Sequence, residues 1–339
     1  MKSYPIFGLV LISSISLTFA ESGAGWVSYP GGKGLGAGKH IVLLSGDEEY
    51  RSEESMPMMG KILSERHGFK CTVLFSIDPD GTINPNRGES LGKPEALDSA
   101  DLVIMALRFR KWPDETMKHF DEAINRGTPL VALRTSTHPF QLPATSGYVK
   151  YNQFGEDVIG EEWVSHWGVH KVEATLAVIE PGSEENPILN GVKEIFGDSD
   201  VYEAVPPGDS IILMRGRVLK GMIPTDEPAT HEKKRKTGEL QGVNSPMMPV
   251  VWTRAAKNFS GSKTKLLCTT MGAATDLESE NLRRLVVNGV FWGLALPVPE
   301  KADVEVVGNY KPSKYSFDAF LRGVKSSDHE LPGMNRGHR

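Results

Sequence analysis

The sequence predicts an α/β fold, a doubly wound and mostly parallel open sheet, and three observations carry that prediction. Continuous apolar runs of strand length recur at residues 40–45, 69–76, 102–107 and 130–133, the pattern of strands buried on both faces. Helical patterns of about 10 to 15 residues separate them in a β-α-β-β-α-β order. Polar segments then leave the carboxyl ends of three runs: Gly46-Asp47-Glu48-Glu49-Tyr50-Arg51, Arg108-Phe109-Arg110-Lys111-Trp112 and Arg134-Thr135-Ser136-Thr137-His138. Ligands of such sheets bind outside the carboxyl ends of the strands, so these segments are expected to crowd one rim.

The individual elements follow from local signals. Residues 21–38 are rich in glycine without periodicity and read as a flexible lead-in. Ser52-Glu53-Glu54-Ser55 supplies a hydroxyl and early acids for a helix over residues 56–67, and Gly68 is placed to end it. Asp78-Pro79-Asp80-Gly81 is a turn. Pro113 suits the first position of the next helix and Gly127 its stop. Beyond residue 170 the alternating runs at 171–179, 210–219 and 249–254 read as extra strands and long loops built over the rim, within one domain spanning residues 39–297. Residues 264–271 form a further core strand, and Asp276 is positioned to cap a helix with Leu282, Leu285, Val286 and Val290 on one face. The tail, residues 298–339, has few apolar residues and is expected to be extended or disordered.

Composition narrows the classes of function. Of 339 residues, 39% are hydrophobic and 24% charged, enough apolar material for a full core. A net charge of −5 gives no electrostatic footprint for nucleic acid, and the lone basic run, Lys233-Lys234-Arg235-Lys236, is flanked by Glu232 and Glu239 as a solvated loop would be. Residues 1–20 have a basic start, an apolar run at 6–19 and small residues at Thr18 and Ala20, so they read as a signal peptide cleaved after Ala20. That run is short for a membrane span, which implies a secreted or periplasmic protein with no stable span after cleavage. Export permits disulfides, yet only Cys71 and Cys268 exist, both within apolar strand-like runs. Buried free thiols and a single pair are both open. Oligomeric state is not legible.

Several motifs resemble the trehalose-utilisation (ThuA-like) family, which has a flavodoxin-like, class I glutamine amidotransferase-like fold. They are residues 45–54, residues 133–138, Phe154-Gly155-Glu156-Asp157-Val158-Ile159-Gly160, residues 163–170, residues 186–191 and Thr270-Met271-Gly272-Ala273-Ala274-Thr275-Asp276. The resemblance covers roughly residues 39–296 and is greatest to a secreted branch without an established activity. It implies a role in carbohydrate metabolism, including oxidised (3-keto) sugars. One departure matters: amidotransferases of this fold place a Cys on a Gly-x-Cys-x-Gly elbow, and here Leu133-Arg134-Thr135-Ser136-Thr137 has neither Cys nor Gly. Cysteine-dependent glutamine amidotransfer is excluded at that position.

The candidate chemistry centres on three of the nine histidines, His138, His166 and His170. As acid/base groups they suit hydrolysis, elimination or isomerisation of a carbohydrate or keto sugar; as ligands they suit a divalent metal such as zinc; core or surface filling is the plain alternative. His166 and His170, four apart, share one face of a helix or a strand. Trp167 stands where a zinc-protease motif needs Glu. Asp47, Glu48 and Glu49, with Arg51, could bind sugar hydroxyls or supply a general base at a strand end, or they are acids that cap the next helix and pair with Arg51 or Arg108. Arg51, Arg108 and Arg134, with Ser136, are candidate substrate contacts, as is Trp167 through ring stacking, with Trp112 and Trp163 weighed beside it. Asp276 joins this set through its Met-Gly-Ala-Ala approach. A non-catalytic carbohydrate-binding protein that uses the same rim is the competing reading.

Overall fold

The structure is a computed structural model that describes residues 21–331; the predicted signal peptide lies outside the described residues. The glycine-rich lead-in is not loose. Residues Glu21–Gly23 (β1) and Trp26–Tyr29 (β2) form a hairpin, and β2 pairs antiparallel with Lys70–Phe75. The signal was there in the alternation of Val27 and Tyr29, which are buried while Trp26 and Ser28 are half-exposed. Gly60 gives Tyr29 its space, since a Cβ there would lie 2.9 Å from the Tyr29 ring.

Four strands match the apolar runs: β3 (His40–Gly46), β4 (Lys70–Phe75), β5 (Leu102–Leu107) and β6 (Leu130–Leu133). Every residue of these strands but Lys70 is buried, because helices cover both faces of the sheet. Ile41 and Leu43 face the layer of α1 (Ser52–His67), while Val42 and Leu44 face that of α2 (Asp114–Asn125). Gly68 ends α1 in a left-handed conformation, its N–H bonded to the Leu63 and Ser64 carbonyls. Pro113 caps α2 from just outside it.

The second half continues the same sheet. β7 (Thr175–Ile179), β8 (Ile195–Gly197) and β9 (Ile211–Val218) are followed by a separate hairpin of β10 (Glu232–Lys234) and β11 (Leu240–Gly242), then β12 (Met248–Lys257) and β13 (Lys263–Thr269). The sheet has eleven strands in the order β1-β2-β4-β3-β5-β6-β13-β12-β9-β7-β8. Its centre, β4 to β13, is parallel; the flanks are antiparallel. The strands expected over the rim therefore lie edge-on beyond it, where β12 offers β9 a hydrogen-bonding ladder that a rim position lacks.

α3 (Glu280–Gly293) closes the α1 face with Leu282, Leu285, Val286 and Val290. Its cap is Ser279; Asp276 lies one turn earlier and is buried. The Asp276 carboxylate instead accepts the backbone N–H groups of Ser199, Gly272 and Ala273 and the Ser199 hydroxyl, tying two loops together. The described part of the tail, residues 298–331, is draped rather than loose. Arg51 donates to the Ser316 carbonyl, Tyr310 to that of Ala274 and Tyr29 to that of His329. Cys71 and Cys268 are buried and unpaired, on β4 and β13 with three strands between them. No helix among the described residues is long and apolar enough to cross a membrane.

Candidate functional site

Four separate stretches meet at the carboxyl rim around a pocket of about 170 Å³. The loop after β3 supplies Glu49 and Tyr50, the loops after β5 and β6 supply Arg108 and His138, and the excursion before β7 supplies Trp163, His166 and His170. Tyr202 and, from the tail, Phe317 complete the wall. The three predicted histidines are thus brought together, although their environments differ.

His166 and His170 converge on one buried carboxylate. Nδ1 of His166 lies 2.7 Å from Asp200 Oδ2, and Nδ1 of His170 lies 2.9 Å from Oδ1. Nε2 of His170 meets Glu49 Oε1 at 3.0 Å, so both of its nitrogens are held by acids. Those two hydrogen bonds, Asp200 first, raise its pKa to about 9 and make it an imidazolium at neutral pH. Burial opposes ionisation of Asp200, but the Arg134 guanidinium and the two imidazoles outweigh it and hold Asp200 well below the usual carboxylate range. Glu49 is also lowered: burial is the largest single influence and would raise it, but the bond from His170 together with the positive charges of His170, Lys171 and Arg108 outweighs burial.

Arg134 works from behind the pocket. It adopts φ +47°, a conformation that strains any residue with a side chain, directly after β6. Its guanidinium donates to the Asp200 carboxylate at 2.9 Å, to the carbonyls of Asp200 and Thr270, and to the Tyr50 hydroxyl. It is stacked between Tyr50 and Tyr202, whose centroids lie 4.6 and 3.8 Å away. A fully buried cation is thereby matched to a fully buried anion.

His138 has the opposite surroundings. Its ring packs 4.7 Å from Phe109 and 5.7 Å from Trp163, with only the Thr137 hydroxyl bonded, to Nδ1. Burial, reinforced by the charges of Arg108 and Arg134, pushes its pKa well below the ordinary value. It is a neutral imidazole at neutral pH.

The remaining candidates divide between rim and core. Arg108 lines the pocket and pairs with Glu48, which also holds Arg110 at 2.6 Å, so Glu48 is an ion-pair partner at the pocket's outer edge. Asp47 is buried and serves the loop itself: Oδ1 accepts from the N–H groups of Glu49 and Tyr50, and Oδ2 from Thr135. Ser136 is buried, donating to the Met105 carbonyl and accepting from Leu107 N–H, which leaves it no access to a ligand. Arg51 is sealed at φ +59° and bonds to the carbonyls of Glu48 and Ser316. Trp167 is fully buried with its indole N–H on the Val243 carbonyl, and Trp112 is core as well; Trp163, 36% exposed, faces the pocket instead. Asp276 is the loop tie described above. Neither Arg51, Arg134, Ser136, Trp167 nor Asp276 lines the pocket, so these five expected substrate contacts become supports or core.

Asp200, Tyr202 and Phe317 escaped the sequence reading, and of the three acids after β3 Glu49 is the one that lines the pocket. Asp200 had no motif around it beyond polar neighbours, and only folding places it 34 residues away against His166. As for metal, His166, His170 and Asp200 offer one donor atom each within 4.8 Å of one another. Asp200 thus replaces His138 in this group; a second set with such spacing, Asp98, His119 and Glu122, lies outside the pocket lining. Among the described residues, Nε2 of His166 has no protein hydrogen-bond partner. A divalent ion bound at His170 would have to displace one of the two ring protons that it donates to Asp200 and Glu49.

No family model matches the chain, and no curated protein does. Solved structures described as ThuA-like match it over most of its length. One, from Parabacteroides merdae ATCC 43184, is 14% identical, with a TM-score of 0.49 over 82% of this chain and 97% of that one. Another, from Bacteroides uniformis ATCC 8492, is 14% identical, with a TM-score of 0.45 over 78% and 94%. The exo-β-1,4-mannosidase Op5Man5 of Opitutaceae bacterium strain TAV5 is more distant, 11% identical with a TM-score of 0.29 over 75% of this chain and 35% of that one. Likeness at this level carries nothing about chemistry, which rests on the side chains.

Proposed function

We propose that the chain is an enzyme acting on a carbohydrate or oxidised (keto) sugar, with proton transfer at His166 as the chemical step. The observation that carries this reading is the His166–Asp200 pair: a buried carboxylate, kept ionised by Arg134, fixes the ring through Nδ1 and leaves Nε2 free to face a ligand. His170 supports the reading as a fixed positive charge 4.4 Å from the His166 ring, suited to an oxyanion formed during elimination or isomerisation. Hydrolysis by the paired-carboxyl route of glycosidases is less well served, because Glu49 and Asp200 are both lowered and neither stays protonated to act as acid. Trp163 and Phe317 offer exposed aromatic faces for a sugar ring.

The test is turnover of a panel of sugars and 3-keto sugars by the wild-type chain and by Asp200→Asn. Loss of turnover on the order of 10²-fold or more is expected, as for removal of a general base or its orienting group. An Asp200→Asn variant that folds and turns over at the wild-type rate contradicts the reading.

A second reading, a non-catalytic carbohydrate-binding protein, is favoured by one observation: both nitrogens of His170 are already engaged. Saturable thermal stabilisation by a sugar without turnover or bound metal would establish it. Zinc at His166, His170 and Asp200 is the metal-dependent form of the enzyme proposal, and metal analysis of the purified protein decides it. Secretion or export to the periplasm is likewise a proposal and rests on residues 1–20 alone.

A further inference from the structure

The histidine pocket, about 170 Å³, is smaller than the about 300–1,000 Å³ usual for a small-molecule site. Directly beside it lies a second cavity of about 320 Å³, lined by Glu48, Asn86, Glu89, Phe109, Lys111 and Gln141. Three links join the two. Arg108 of the first is ion-paired to Glu48 of the second. The Phe109 ring of the second lies 4.7 Å from the His138 ring of the first. Along the tail, Phe317 stacks on Arg108 while the next residue, Asp318, accepts a hydrogen bond from Asn86.

The partition between them is a strained piece of backbone. Phe109 adopts φ +46°, which is rare for a bulky aromatic residue and is tolerated when surroundings over-determine it. Here the N–H groups of Phe109, Arg110 and Lys111 are fastened to the carbonyls of His138, Pro139 and Gly88 at 2.7–3.0 Å. The strain sets an aromatic ring between the two cavities. In the second cavity, whose lining also includes Arg110, two cations (Arg110, Lys111) offset two carboxylates (Glu48, Glu89), and the amides of Asn86 and Gln141 add both donors and acceptors, which suits neutral hydroxyl groups better than an ionic ligand. Among the described residues, the side chains of Lys111 and Gln141 have no hydrogen-bond partner of their own, and both are exposed.

We propose that this cavity is a second subsite, which takes a neutral hydroxyl-rich unit linked to the one held at the histidines, with Phe109 as the platform between them. The proposal rests on the carbohydrate reading of the histidine pocket.

Calorimetric titration tests it, with methyl β-glucoside and with the disaccharides maltose, cellobiose and trehalose as probes, on the wild-type chain and a Lys111→Ala/Gln141→Ala variant whose melting curve confirms folding. The wild type is expected to bind at least one disaccharide about tenfold or more tightly than methyl β-glucoside, and the variant to lose most of that preference. A wild-type chain without that preference, or a variant that keeps it, overturns the subsite while leaving the histidine pocket in place. If no saccharide binds the wild type, the carbohydrate reading falls and the subsite with it.

Discussion

The two walls of the pocket use the same side chain to opposite ends. On the side built by the parallel centre of the sheet, His138 sits among Phe109, Trp163 and the charges of Arg108 and Arg134, and it is neutral. On the side built by the excursion before β7, His170 sits between Asp200 and Glu49 and is a cation, with a pKa of about 9. The two partners that charge it come from 30 and 121 residues away. The lesson is that the charge of an imidazole here belongs to the fold and not to its own segment.

The contrast can be broken most severely at Arg134. Arg134→Met removes the cation that keeps Asp200 ionised inside the protein, and loss of one partner from a buried pair costs about 3–5 kcal/mol. Urea denaturation is expected to show a loss of that size; a loss below about 1 kcal/mol would mean that Asp200 does not depend on it.

A smaller, pH-dependent effect sharpens the cationic wall. His170 has a folded pKa of about 9, above the roughly 6.5 of an unfolded chain. Its stabilisation is therefore complete below about pH 6.5, declines as pH rises through that window and is gone above about pH 9. The difference in unfolding free energy between wild type and His170→Gln, measured in urea at a series of pH values, should shrink over that range. A difference independent of pH would show that the ring is already neutral.

The smallest stability effect is expected at the aromatic edge that the walls share. Trp163 is partly exposed, so Trp163→Ala should change stability by less than about 1 kcal/mol while lowering sugar affinity in a thermal-shift titration. Unchanged affinity would remove Trp163 from the binding surface.

Much of the fold was legible because its signals are local. β5 and β6 coincide with their apolar runs, since a strand buried on both faces needs nothing but apolar residues, and Gly68 ends α1 because its conformation favours glycine. The lead-in was misread because glycine density masked the two-residue alternation at Val27 and Tyr29. At the site, the histidines were legible as residue types, His138 just after β6 and His166 and His170 in the excursion before β7. Which polar residues support and which face the pocket was not: Arg134, Ser136 and Asp47 look like binding residues in sequence, and burial alone makes them scaffolding. Asp200 and Phe317 reach the pocket only through long-range packing, which no local pattern encodes.

The most direct test of the central claim is a titration of the imidazole nitrogens by ¹⁵N-detected NMR, from pH 5 upward, on histidine-labelled protein. The account predicts that His170 remains doubly protonated beyond pH 7 while His138 loses its proton below the ordinary histidine value. His138 and His170 titrating together near the ordinary histidine value would contradict it.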